Sequence, residues 1–261
     1  MERKITIRHD VEKQRLQSFL ETDRIWAGYA ICDLEEEIFP LCNWHVAVEN
    51  RRVISLCMHF NGLQPPAQIT MGEPIGLAKI LKTIDIPERI HAHIPPNHRE
   101  VMNEFYNINK FHLMKRMFVI KETFKPIAGQ AERMRNSDLR DIENLYAVQP
   151  GNFFRSYMLT SGVYYGLRKE GKLISVAGTH ICSPTHSLAC VGNVFTHPSY
   201  RGKGYATTCT SQTVSDLLTH FRDVILNVED QNIAAIRVYR KLGFREHSTY
   251  FEAYAQCKKT N

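Results

Sequence analysis

The stretch Val194-Phe195-Thr196-His197-Pro198-Ser199-Tyr200-Arg201-Gly202-Lys203-Gly204-Tyr205-Ala206 constrains this chain more than any other. An apolar run ends in a basic, glycine-rich turn that opens directly into a helical pattern. The first backbone N–H groups of such a helix have no intrahelical acceptor. They form a site for an anion, most simply a pyrophosphate. A strand–turn–helix unit with one phosphate-binding end is therefore expected.

The flanking pattern gives an α/β chain. In the C-terminal half, Ser137 is placed to N-cap a helix from Asp138 to Val148, with Leu139, Ile142, Leu145 and Tyr146 on one face. Pro150-Gly151-Asn152 breaks it, and a short helix follows over Phe153 to Thr160. Strands are predicted for Val163 to Arg168 and Leu173 to Ile181, joined by the turn Lys169-Glu170-Gly171-Lys172. Strand Leu188 to Thr196, helix Tyr205 to Phe221, strand Asp223 to Val228, helix Ile233 to Leu242 and strand Arg245 to Tyr254 complete the half. Gly243 is a natural residue to end the second of these helices.

The N-terminal half echoes this order, with a helix over Glu12 to Leu20 and a hairpin over Trp44 to Phe60 turning at Asn50-Arg51-Arg52. Strand Gln68 to Met71, helix Leu77 to Ile84, strand Arg89 to His93, helix Asn97 to Tyr106 and strand His112 to Ile120 follow. The echo predicts a divergent duplication, divided as 1–128 and 129–261, with mixed sheets and helices on both faces. It fails at the turn. The N-terminal counterpart, Met71-Gly72-Glu73-Pro74-Ile75-Gly76, carries a repelling carboxylate and a proline without an N–H, so one anion site is expected.

Composition narrows the class. Of 261 residues 43% are hydrophobic and 23% charged, which suits a packed core and excludes disorder. No apolar run reaches membrane-spanning length, and Met1-Glu2-Arg3-Lys4 does not lead into an apolar signal core. Seven cysteines without a C-x-x-C pair fit a reduced, cytoplasmic setting, not a disulfide or zinc framework. The net charge of +6 reads as solvated surface, so neither nucleic acid nor a membrane is expected as partner. His91-Ala92-His93 with His98 lacks a third spaced ligand, so no metal is expected. Glu35-Glu36-Glu37 reads as a solvated loop or helix start.

Three phosphate motifs compete for the glycine turn. A P-loop needs a hydroxyl residue after Lys203, where Gly204 stands. A dinucleotide fingerprint needs a small residue where Thr207 stands and an acidic residue about twenty positions on, in a region predicted helical here. The pattern [QR]-x-x-G-x-[GA] is met by Arg201, Gly204 and Ala206. A second block, Leu226 to Phe244, matches L-x-V-x-x-x-N-x-x-A-x-x-x-Y-x-x-x-G-F through Asn232, Ala235, Tyr239 and Gly243. With both blocks in order, the chain resembles the GNAT superfamily of acyl-CoA N-acyltransferases from about Ala131 to Tyr254. The first half resembles it only as a fold echo. The implied fold is two GNAT-like units, the N-terminal one degenerate.

The resemblance implies acetyl-CoA as co-substrate, lying where strands Leu188–Thr196 and Asp223–Val228 splay apart. It implies a pyrophosphate held by the amides of Gly202, Lys203, Gly204, Tyr205, Ala206 and Thr207, with charge from Arg201 and Lys203. The main chain of Val194, Phe195 and Thr196 would pair with the pantetheine arm, an N–H of Val194 or Phe195 would polarise the thioester carbonyl, and Asn232 would bond to the cofactor. Tyr239, seven residues after Asn232 and on the same helix face, would protonate the departing thiolate. Many relatives carry Glu at the place of Asn227 or near Cys190. Neither is a carboxylate here, so Asn227 would orient a water or the amine, and Glu229, His180 and His197 stay open as bases acting through water. An amine arriving neutral would need no strong base. Phe153, Phe154, Tyr157 and Asn193 are candidates to line the acceptor pocket, with the first half completing it.

The expected function is an N-acetyltransferase acting by direct amine attack in a ternary complex, on a small-molecule or peptide amine. The alternative is a non-catalytic acyl-CoA-binding regulatory module, prompted by the missing carboxylates. The sequence leaves the oligomeric state open.

Overall fold

The computed structural model describes residues 3–9, 11–151 and 153–258. Packing divides them into two units, and the division is not the expected 1–128 and 129–261. One unit holds residues up to Lys115 together with those from Ser248 onward; the other is Arg116–His247. The reason lies in strand pairing, which no local pattern encodes.

The first unit comprises β1 (Ile5–Arg8), α1 (Lys13–Leu20), α2 (Gly28–Cys32), β2 (Cys42–Glu49), β3 (Arg52–Phe60), β4 (Ala67–Gly72), α3 (Pro74–Thr83), β5 (Arg89–Ile94), α4 (Arg99–Phe105), β6 (Tyr106–Ile108) and the start of β7 (His112–Ile120). Its sheet runs β1-β2-β3-β4-β5 and is closed by the last strand of the chain, whose residues Phe251 to Gln256 pair antiparallel with β5. Strand alternation feeds two cores. Trp44, Val46 and Val48 point to α1 and α2, while Ala47 joins Leu77, Ile80, Val101 and Met102 on the face of α3 and α4. Helices therefore cover both faces. The β2–β3 hairpin turns at Asn50 and Arg51, both at positive φ, as a two-residue turn between right-twisted strands demands.

The second unit takes the remainder of β7 and then β8 (Glu132–Arg133), α5 (Leu139–Ala147), α6 (Ser156–Ser161), β9 (Tyr164–Lys169), β10 (Lys172–Ser183), β11 (Leu188–Thr196), α7 (Tyr205–Leu217), β12 (Asp223–Glu229), α8 (Ile233–Lys241) and the start of β13 (Arg245–Cys257). Its strand order is β7-β12-β11-β10-β9-β8. Each unit thus takes its closing strand from the other half of the sequence. Val224, Leu226 and Val228 alternate onto the face packed by α7 and α8, with Val214, Leu217, Ile236, Tyr239 and Leu242. The opposite face carries Ile142, Leu145, Tyr146, Met158 and Leu159 of α5 and α6.

Two local expectations change. Ser137 does not cap α5; a 3-10 turn, Asn136–Asp138, precedes the helix, and the Asp138 carboxylate accepts from the Arg135 N–H at 2.9 Å instead. The helix after Pro150 starts only at Ser156, which leaves Phe153 and Phe154 in the approach to it. Asn152 of the predicted break lies outside the described residues.

Gly243 ends α8 at φ +91°, where its N–H bonds to Arg240 O and the Phe244 N–H to Tyr239 O. A Cβ there would lie 2.0 Å from the Thr123 carbonyl. Gly243→Ala combines a left-handed residue with a backbone clash and should cost about 3 kcal/mol or more. Urea unfolding checks this, and an unchanged midpoint would contradict the turn.

Candidate active site at the end of the β11–β12 ladder

Strands β11 and β12 pair in parallel from Leu188↔Asp223 to Val191↔Leu226, and there the ladder stops. Both strands continue, to Thr196 and Glu229, so they part from Gly192 and Asn227 onward. The cause is visible in β11. Its register with β10 slips between Gly192 and Phe195, and Asn193 sits at φ +54°. This bulge flips the side-chain parity: Ala189 and Val191 share one face, but Val194 packs on that face and Phe195 on the other. Bulges bend and twist a strand, and this one turns β11 away from β12.

The basic turn lies just beyond. Gly202 and Gly204 take φ +76° and +82°, and a Cβ at either would meet nothing within 4 Å. The turn backbone therefore faces open space. Thr208 donates the first bond of α7, to Gly204 O at 3.0 Å. Among the described residues the amides of Gly202 through Thr207 meet no backbone acceptor. Successive N–H groups without a backbone acceptor thus stand at the positive end of a thirteen-residue helix, the kind of place where an anion can be held. Arg201 is turned elsewhere. Its guanidinium donates to Thr196 O at 3.1 Å and to Gln149 at 2.7 Å, and lies over the Phe195 ring. Lys203 lies over the Tyr200 ring. The turn's positive field thus comes mainly from main chain.

The second motif reaches the same place through α8. Asn232 caps the helix, its Oδ1 accepting from the Ala235 N–H at 3.1 Å. Tyr239 is 7% exposed and packs with Val191, Leu226 and Val228, the residues that flank the parting strands. Burial first, and the nearby Cys190 thiol second, push its phenol well above the ordinary tyrosine range. It therefore stays protonated at any physiological pH. Asn227 is the first β12 residue past the ladder. Its Oδ1 is buried and finds no hydrogen-bond partner among the described residues. A buried acceptor left orphaned is costly, so Oδ1 is available to a donor from water or a ligand.

The acceptor-side candidates separate. The Asn193 side chain donates to Tyr164 Oη at 2.9 Å, and its carbonyl accepts from Tyr146 at 2.5 Å. It therefore secures the bulge. Phe154 packs on Tyr146 and Tyr164 within the core. Phe153 lies against His180, with ring centroids 5.4 Å apart, while Tyr157 is 62% exposed. Of the three candidate bases, His180 is the one set beside the bulge. It occupies a second register slip, on β10, and its Cβ lies against Gly192. His197 accepts from the Ser199 N–H within its own turn, and Glu229 is exposed at the end of β12.

In the first unit a side chain bridges the corresponding gap between the parallel strands. The β4–β5 ladder ends at Ile69↔His93, and His98 enters the gap, its Nδ1 2.8 Å from Thr70 Oγ1 and its Nε2 2.9 Å from Gly72 O. Trp26 donates to Thr70 O at 3.1 Å. The Glu73 carboxylate at the start of α3 is held by Arg3 at 2.6 Å.

Parted parallel strands and a bulge thus precede a glycine-rich turn that opens a helix. Residues 131–244 match the Acetyltransferase (GNAT) family, so that segment is a GNAT acetyltransferase domain. Over 122 residues the chain is 26% identical to the N-acetylaspartate synthetase of Xenopus tropicalis, a match covering 46% of this chain. The chain spans 41% of the length of that curated relative. In fold it is similar to a Drosophila protein, with a TM-score of 0.71, 9% identity, and 97% of this chain and 98% of the other covered. It is also similar to a tandem GNAT protein of the clavulanic acid biosynthesis pathway, with a TM-score of 0.58, 11% identity, and 99% and 100% covered. Among the described residues no helix is long and apolar enough to cross a membrane.

Proposed function

We propose that the Arg116–His247 unit transfers an acetyl group from acetyl-CoA to a primary amine, by direct attack in a ternary complex. The observation that carries this reading is the end of the β11–β12 ladder at Val191↔Leu226 beside the open Gly202–Thr207 cradle. The amides of Gly202 to Thr207 hold the pyrophosphate. The main chain of Val194, Phe195 and Thr196 pairs with the pantetheine arm, and Asn232 bonds to the cofactor from the start of α8. With the thioester so placed, an N–H of Val194 or Phe195 polarises its carbonyl. The neutral amine attacks, the C–S bond breaks as the tetrahedral intermediate collapses, Tyr239 gives its proton to the leaving thiolate, and the proton lost by the attacking nitrogen passes through water to restore Tyr239. Fixing the two reactants in one geometry supplies most of the acceleration.

The acceptor is a small-molecule or peptide amine. The curated relative is named for an N-acetylated amino acid, so free amino acids come first in an acceptor panel. All seven cysteines are free and five are buried, which fits a reducing cytoplasm. Release of free thiol from acetyl-CoA across the panel tests the reading. Tight acetyl-CoA binding with no thiol released from any amine would favour the regulatory-module alternative.

Asn227 is assigned to the incoming amine: its orphaned Oδ1 accepts an N–H and aims the lone pair at the thioester. Asn227→Ala should raise the amine KM about tenfold while leaving the acetyl-CoA Kd within about twofold, since one hydrogen bond is worth roughly 1–1.5 kcal/mol. A shift in the acetyl-CoA Kd with no shift in the amine KM would place Asn227 on the cofactor instead.

A further inference from the structure

His91 and His93 have no third spaced ligand near them in the sequence. The fold supplies one. In β5, Ile90, Ala92 and Ile94 pack under α3 and α4, so strand alternation puts His91 and His93 together on the opposite face. The last strand pairs antiparallel with β5, and its register sets Glu252 directly opposite His93. Ala253 and Ala255 go to the α3 and α4 core, which sends Glu252 to the histidine face. All three residues lie in the first unit.

The geometry points to a binding site for a divalent transition metal, best suited to zinc, formed by His91, His93 and Glu252. The donor atoms lie within 4.8 Å of one another: His93 Nε2 is 3.6 Å from Glu252 Oε1, and His91 Nε2 is 4.0 Å from Oε2. Zinc bonds of about 2.0–2.1 Å set tetrahedral ligand atoms about 3.3 Å apart, so small side-chain rotations close the site. Two imidazoles and one carboxylate make an N, N, O set with a fourth position left for water.

The donors are already oriented. Tyr250 donates its hydroxyl to Glu252 Oε1 at 2.7 Å, the kind of outer bond that fixes a ligating carboxylate. The Tyr254 ring stacks on His91 at 4.7 Å, and Tyr29 meets the His93 ring edge to face at 5.8 Å. With side chains 28%, 9% and 22% exposed for His91, His93 and Glu252, the site is recessed yet reachable. A metal here would clamp the chain's last strand to β5.

The test uses the full chain without an affinity tag, stripped with EDTA and titrated with zinc chloride against a chromophoric chelator. One zinc per chain is expected, with a Kd below micromolar and a zinc-dependent rise in the thermal midpoint. Glu252→Gln and His91→Ala should each weaken binding at least tenfold and remove that rise. The His9–His45 pair, whose Nδ1 atoms are 2.8 Å apart, gives a control, and His9→Ala should leave the stoichiometry unchanged. If a variant fails to fold, anomalous scattering at the zinc edge from the native protein decides, with density expected between the three side chains. Absence of stoichiometric binding, density elsewhere, or folded variants that bind like the native chain would overturn the site.

Discussion

Gly204→Glu should abolish acetyl-CoA binding, raising its Kd more than 100-fold, while the protein stays folded. Two physical terms act in the same direction. A carboxylate placed at the cradle repels a pyrophosphate at close range where main-chain N–H groups now attract it. The new side chain also enters the open space that the ligand backbone approach requires, since nothing of the protein lies within 4 Å of a Cβ there. That same openness protects the fold. The φ of +82° costs a residue with a Cβ only about 1–2 kcal/mol, and no clash adds to it. Gly204→Ala separates the two terms, because it carries the backbone strain without the charge. Isothermal titration with acetyl-CoA beside thermal unfolding checks both variants. A folded Gly204→Glu that still binds would place the pyrophosphate elsewhere.

The parts of this site that were legible in the sequence are those set by short-range chemistry. The strand Leu188–Thr196 and the start of the helix at Tyr205 stand where periodicity and the glycine turn put them. The hairpin turn Glu170-Gly171 takes the positive φ values that its residues suggest. The Asn232 cap follows from residue type and position. What was not legible depends on pairing across the chain. No local signal says that residues 116–120 close the second unit or that the last strand closes the first, because both choices are made by distant hydrogen-bond partners. The domain cut at 128 therefore missed both exchanges. The same blindness hid the carboxylate opposite His93, which comes from the far end of the sequence.

The bulges are a second kind of gap. Asn193 reads as one more residue of an alternating strand, facing an acceptor. Its φ of +54° instead makes it the extra residue that reverses the parity of β11 and commits its side chain to Tyr164. His180 owes its position beside Gly192 to the matching slip in β10. A one-residue slip moves every following side chain to the other face, so pattern reading past such a point inverts inward and outward.

Tyr239→Phe should lower kcat by about 10²–10⁴-fold, or roughly 3–5 kcal/mol of barrier, with the acetyl-CoA Kd unchanged within about threefold. The prediction rests on what the substitution leaves in place. The ring is core, packed against Phe244, Val191 and Leu226, and phenylalanine keeps all of that packing. Only the proton donor is removed. Burial holds the phenol above its ordinary range, so in the native protein it is present as the acid at every assay pH. The departing thiolate is a far stronger base than water, and without Tyr239 it must leave unprotonated or wait for solvent to enter a buried cleft. Acyl donors with better leaving groups need that proton less. The deficit should therefore shrink when acetyl-CoA is replaced by a thioester of a more acidic thiol, a change that a merely structural tyrosine would not produce. Steady-state kinetics with both donors decides between the roles, and equal deficits with the two would remove Tyr239 from the proton transfer.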